Sequence, residues 1–270
     1  MVGMPRALVN WCNARGIPTL HIPHAPCHLL PGVTDIHRQT RARWIAASGP
    51  AVAEFYAESG HDRSFIVITG GPQYDAVYTD GPERAEARRV LVGDYAGPVL
   101  CYQTTWGQTT SLRSEFEAEF ERGWQAVLAA ARHLGAYVMV NVHWHDQRPD
   151  TVDRYEASLK AAGVPGLVTR DHFRYVLAAA DVLVAQGPSN VALEAAMVGT
   201  PSCYIQTDDF DFRTELPYRG TPETIDIAIG RALASRGGDA WDEFIAQYNA
   251  AHPDGDAAER VAALVESVCP

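Results

Sequence analysis

Between Ala180 and Gln206 the chain reads ADVLVAQGPSNVALEAAMVGTPSCYIQ, where one carboxylate, Glu194, interrupts an otherwise apolar segment from Val191 to Val198. A charge in such a setting needs a partner, because burying it alone is costly. The flanking pattern suggests what that partner is. DVLVA reads as a buried parallel strand, QGPS as a tight turn, Ser189 as a helix N-cap, and NVALEAAMV as a helix that Gly199 stops, with Pro201 soon after. A strand, turn and helix in this order set the helix N-terminus at the carboxyl edge of a sheet. Open α/β sheets bind ligands there, and the free amides suit phosphate. Asn190 and Glu194 share one helix face, about 6 Å apart along the axis. That rise matches the separation of a nucleotide's diphosphate from its ribose hydroxyls. A carboxylate, with two acceptor oxygens and no donor, fits two neighbouring hydroxyls; a cap or an arginine pair would also answer the charge. The segment lacks the glycines of GxGxxG, and its acid lies inside the helix, which disfavours a dehydrogenase.

Two groups of histidines also carry chemistry. His21, His24 and His28 lie close together in the chain, and HWHD sets His143 and His145 on one side of a strand beside Asp146. The first group sits in an extended, proline-interrupted stretch without helical ligand spacing. Arg38, Arg170 and Arg213 are cations that could reach phosphate, although isolated arginines are usually surface charges.

Positioning these groups requires a regular scaffold. Compact apolar runs predict strands at Thr19–Pro23, Trp44–Ala47, Phe65–Thr69, Val99–Gln103, Tyr137–Val142, Asp181–Ala185 and Ser202–Gln206. Helical patterns fill the gaps at Arg6–Ala14, Val52–Glu58, Pro82–Leu91, Ser114–Leu134, Val152–Ala162, Ser189–Val198 and Pro222–Ala234, and close the chain at Trp241–Ala250 and Ala257–Val268. Strands alternating with helices imply βαβ units and parallel sheets, hence an α/β fold. The punctuated stretch TDGPERAEARRVLVGDYAGP predicts a boundary between domains 1–94 and 95–270. The first domain is then short and opens on a helix.

Composition narrows the function. Apolar residues make up 47% and charged residues 20% of 270 residues, enough for a proper core. The net charge of −11 disfavours a nucleic-acid partner. Five scattered cysteines without a CxxC pair suit reduced thiols, and no apolar run of ~18 residues or signal-peptide pattern is present. A cytoplasmic, non-spanning protein is expected. Lys160 is the only lysine, so no GxxxxGK[ST] phosphate loop exists.

GPSNVALEAAMVGTPSCYIQ resembles the nucleotide-sugar site of the GT-B glycosyltransferases and of the related non-hydrolysing UDP-N-acetylglucosamine 2-epimerases. MVGMPRALVNWCNARGIPTLHIPHA, DIHRQTRARWIAAS and FIVITGGPQYDAVY resemble, in order, the later part of that superfamily's N-terminal domain. GPVLCYQTTWG is similar to the first strand and loop of its C-terminal domain, close to the teichoic-acid glycerophosphotransferases, and VMVNVHWHD to its histidine-bearing strand. The resemblance implies a GT-B-like fold of two Rossmann-like parallel-sheet domains, the N-terminal one abbreviated because its first βα units are missing. It also implies a UDP-sugar donor held by Gly187, Ser189, Asn190 and Glu194, with Thr105, Phe173 and Arg213 nearby.

The implied activity is sugar transfer from a nucleotide-diphosphate sugar to an acceptor hydroxyl, without metal or cofactor. His24 would serve as the base, a role for which histidine's ordinary pKa is suited, and His143 would stabilise the leaving diphosphate. The family's epimerases need acidic groups in the N-terminal half, and their glutamate position falls at Pro23 or His24, which argues against epimerisation. Epimerase chemistry remains one alternative; a non-catalytic nucleotide-sugar-binding subunit, completed by a partner chain, is another. The acceptor and the oligomeric state, whether homo-oligomer or partnered subunit, are not encoded in any motif.

Overall fold

The computed structural model describes residues 3–24, 40–79, 81–104, 113–143, 146, 148–186, 190–206, 218–235, 238–250 and 254–269. The chain divides into two compact units, Met1–Asp80 with Asp242–Pro270, and Gly81–Trp241. Each is built on its own sheet, and every strand pair described is parallel.

The first unit runs α1 (Gly3–Asn13), β1 (Leu20–His21), β2 (Trp44–Ala47), α2 (Pro50–Glu58), β3 (Ile66–Ile68) and α3 (Asp75–Thr79), with strand order β1-β2-β3. The second runs α4 (Arg84–Leu91), β4 (Val99–Gln103), α5 (Arg113–Leu134), β5 (Tyr137–Asn141), α6 (Thr151–Ala162), β6 (Gly166–Thr169), α7 (Phe173–Ala179), β7 (Val182–Gln186), α8 (Val191–Met197), β8 (Ser202–Ile205), β9 (Arg219–Gly220) and α9 (Ile225–Ala234). Then follow α10 (Asp239–Tyr248), which the division crosses, and α11 (Ala257–Val268), which belongs to the first unit.

Strand alternation gives the second sheet two apolar faces. Leu100, Tyr102, Val138, Val140, Val182 and Val184 pack with α5, α6 and α9, whereas Val99, Cys101, Met139 and Leu183 pack with α4, α7 and Ala195 of α8. The strand order is β6-β5-β4-β7-β8-β9. Counted from β4 this is the doubly wound order 3-2-1-4-5-6. The chain leaves β4 in one direction to build β5 and β6, then returns to β4's other side with β7. The carboxyl ends of β4 and β7 therefore diverge at a topological switch point, where the fold leaves a crevice.

At the opposite end of this sheet, Asp181 ties the layers together. Its carboxylate accepts from Arg84, from Arg88 (2.9 Å) and from the Val99 N–H (2.8 Å), while Arg84 also donates to the Ala180 carbonyl (2.7 Å). That clamp fixes where β4 and β7 start, and so where both strands deliver their carboxyl ends.

In the first unit the cover comes from far along the chain. Val261 and Leu264 of α11 pack against Ala46, Leu20, Trp44 and Val67. The Asp75 carboxylate accepts the N–H groups of Ala257 (3.2 Å) and Ala258 (2.8 Å), acting as an N-cap for α11. The Gly71 N–H donates to Asn249 Oδ1 (3.0 Å) and the Ala250 N–H to the Ser48 carbonyl (2.8 Å). Gly49 is required at this seam, since a Cβ there would stand 2.4 Å from the Gln247 carbonyl oxygen.

Four elements depart from the sequence expectation. β6, β9, α3 and α7 form where no strand or helix was expected. β6 is four residues long, β9 two, α3 five and α7 seven, so each is too short to show periodicity.

Candidate functional site

At the switch point stand Gln103, the last residue of β4, with Thr104 after it, Gln186 at the end of β7, and α8, which follows β7. Glu194 is positioned by α8. The Glu194 N–H donates to the Asn190 carbonyl (3.2 Å), so the four-residue spacing is one helical turn, as the sequence required. Ala192, Leu193, Ala195 and Ala196 are buried and seat the helix on the sheet. Gly199 ends it with φ 72°, a left-handed stop that only glycine adopts readily. Asn190 directly precedes the helix, and its side chain makes no capping hydrogen bond. Ser189, the expected N-cap, lies outside the described residues, as do Gly187, Thr105, Arg213, Arg38, His28 and His145.

Glu194 is partly buried. Burial pushes its carboxyl up to about 7, and the Arg174 guanidinium on α7 offsets part of that rise. Among the described residues no hydrogen bond reaches the carboxylate. The group therefore sits poised between its charged and neutral forms near neutral pH, with acceptor capacity to spare.

The exits of β4 and β5 are tied into one unit. The Thr104 N–H donates to the Asn141 carbonyl (3.1 Å), Thr104 Oγ1 accepts the His143 N–H (2.7 Å), and the Thr104 carbonyl accepts Gln103 Nε2 (2.8 Å). His143 is partly buried just beyond β5, beside the end of β4. Neither Thr104 nor Gln103 stood out in the sequence, because each reads as the polar end of an apolar run.

Asp146 and Arg170 are occupied structurally. The Asp146 carboxylate, 2% exposed, accepts from Arg148 Nε (2.8 Å) and Thr151 Oγ1 (3.1 Å). Arg170 donates to the carbonyls of Asp146 and of Arg148 (2.9 Å), holding the turn after β5 rather than reaching outward. Phe173 opens α7 and packs into the apolar cluster around Val176 and Leu177. Before it, His172 holds φ 60°, a left-handed conformation uncommon for a residue with a Cβ.

In the first unit His21 and His24 separate in role. His21 Nε2 lies 2.9 Å from the Tyr56 hydroxyl, within the unit's packing. His24 is exposed beyond the carboxyl end of β1, and Gln73 Nε2 stands 3.4 Å from its carbonyl oxygen.

No protein-family model matches this chain, and no curated protein matches it. Solved structures do. The UDP-GlcNAc 2-epimerase of Neisseria meningitidis, bound to UDP-GlcNAc, matches at 13% identity and TM-score 0.67, over 97% of this chain and 73% of that one. The UDP-GlcNAc 2-epimerase of Methanocaldococcus jannaschii, in complex with UDP-GlcNAc and UDP, matches at 11% identity and TM-score 0.68, over 97% and 72%. The wall teichoic acid polymerase TagF matches at 13% identity and TM-score 0.54, over 88% of this chain; the match spans 62% of the polymerase chain. Among the described residues no helix is long and apolar enough to cross a membrane. What these likenesses establish is the architecture: this chain has a GT-B-like α/β fold, two Rossmann-like parallel-sheet domains of which the N-terminal one is small.

Proposed function

We propose that this chain is a glycosyltransferase whose donor is a nucleotide-diphosphate sugar of the UDP series. The observation that carries the reading is Glu194: a partly buried carboxylate, without a hydrogen bond among the described residues, on the helix that follows β7 at the switch point. Two ribose hydroxyls would supply the donors it lacks. The ligands named for the two epimerase structures belong to the same chemical class.

In this mechanism Glu194 fixes the ribose and so the register of the diphosphate and sugar. His143, held at the end of β5 by Thr104, donates toward the departing diphosphate as charge develops there. His24 takes the acceptor hydroxyl's proton, a task suited to an exposed imidazole. Ser189 and Asn190 contribute to the phosphate side of the donor site.

The test is calorimetric titration with UDP, CDP and GDP and their common sugar forms, on the wild type and on Glu194→Gln. Binding of one nucleotide series is expected, weakened about 10- to 100-fold by the substitution, the loss of hydrogen bonds to a charged acceptor. Equal binding by both proteins would remove the ribose role. A second reading, UDP-GlcNAc 2-epimerase activity, is favoured by the fuller match to the epimerases than to the polymerase. Incubating the sugar nucleotide without acceptor separates the two, since only epimerisation then yields a new sugar nucleotide. Binding without turnover under either condition would favour the non-catalytic subunit.

A further inference from the structure

Three neighbouring strands of the second sheet are apolar until their last residue, which in each is a side-chain amide. VLCYQ ends in Gln103, YVMVN in Asn141 and VLVAQ in Gln186. Gln186 is fully used by the fold. Its Oε1 accepts from the Tyr102 hydroxyl (3.1 Å), and its Nε2 donates to the Glu119 carbonyl (2.7 Å).

Gln103 and Asn141 differ. They are paired directly across β4 and β5, on the face that α7 and α8 cover, and are 2% and 4% exposed. Gln103 Nε2 is taken by the Thr104 carbonyl, but among the described residues neither Gln103 Oε1 nor Asn141 Nδ2 has a hydrogen-bond partner. The neighbours in the same cross-strand row offer none. Thr169 on one side turns its hydroxyl to the Asp171 backbone, and Ala185 on the other has no polar side-chain atom. A residue with an orphaned acceptor and a residue with an orphaned donor thus stand opposite each other across β4 and β5, at the carboxyl end of the sheet. Buried polar atoms are rarely left so.

A hydroxyl group complements this pair, since it can donate to one atom and accept from the other. We propose that Gln103 and Asn141 form a hydroxyl-binding subsite for the sugar of the nucleotide sugar, Gln103 Oε1 accepting and Asn141 Nδ2 donating. The inference rests on the nucleotide-sugar reading above, in which Glu194 already engages the ribose. The amide pair is a specificity determinant: a site built to hydrogen-bond a hydroxyl discriminates against ligands that lack it.

The test compares UDP-GlcNAc with UDP on the wild type, Asn141→Leu, Asn141→Asp and Gln103→Met, with melting curves to confirm folding. Asn141→Asp keeps the shape and removes the donor. Each variant is expected to weaken UDP-GlcNAc about tenfold and to leave UDP unchanged. Loss of both ligands alike would show an effect transmitted through Thr104 and His143 and overturn the subsite. Unchanged binding of both, with unchanged or raised melting temperature, would mean that the pair holds water only, and would overturn it too. If UDP-GlcNAc fails to bind the wild type, the nucleotide-sugar reading falls and the subsite with it. Binding that depends on Glu194 but not on the amides would overturn the subsite alone.

Discussion

The two units use the same βα grammar with different degrees of closure. In the second, β4, β7 and β8 are buried at every residue, and apolar clusters cover both faces of the sheet. In the first, β1 and β3 reach only partial burial, and Ile22 and Ile68 are each 44% exposed. A six-stranded sheet between two helical layers makes its own core. A three-stranded sheet does not, and here it draws on α11, on the Asp75 cap and on Asn249, all of which depend on the far end of the chain. The difference sets the candidate ribose group and the amide pair in the second unit, on well-buried strands and the helix packed on them.

The contrast can be broken by large-to-small substitutions. Leu183→Ala, at a fully buried site in the second sheet, is expected to cost about 3 kcal/mol, within the usual 2–5 range for such truncations. Leu264→Ala in α11, at 8% exposure, is expected to cost about 2 kcal/mol, with hydrogen exchange accelerating in β1 to β3 and little elsewhere. Equal costs, or exchange spread over both sheets, would mean that the units are not separate in stability. Asp75→Ala removes a distant cap and is expected to cost about 1 kcal/mol, again confined to the first unit.

A further prediction is a slope with pH. Burial raises Glu194 from 4.5 to about 7, so between those values the folded protein holds a proton that the unfolded chain has released. Folding stability should therefore fall as pH rises through that window and level off above it, a dependence that Glu194→Gln should lack in urea titrations. Ribose binding calls for the ionised carboxylate, so affinity for the sugar nucleotide should rise from about pH 6 to about pH 8.

Much of this was legible in the sequence. The strands Trp44–Ala47 and Val99–Gln103 coincide with the expected limits, and the α/β class with small N-terminal domain is the one found. Glu194 could be read because an acid inside an apolar helical run is a contradiction that local pattern exposes. Gln103 and Asn141 could not, since an amide ending a strand is ordinary until the strand order pairs the two. Arg174 was invisible for the same reason: only the packing of α7 against the sheet brings its charge to Glu194. The return of α11 to the first unit, and its cap from Asp75, join residues 182 or more positions apart, for which no local spacing gives a signal.

That last separation sets an order of events during synthesis. Domains tend to fold as units while the chain emerges, and contacts between distant residues form late. The second unit is continuous in sequence and can close as soon as it is made. The first unit's strands are made before the second unit yet must wait, edges open, until Val261 and Leu264 arrive. The strands made before the second unit are thus the last to mature, and they are the part that a chaperone would have to shield.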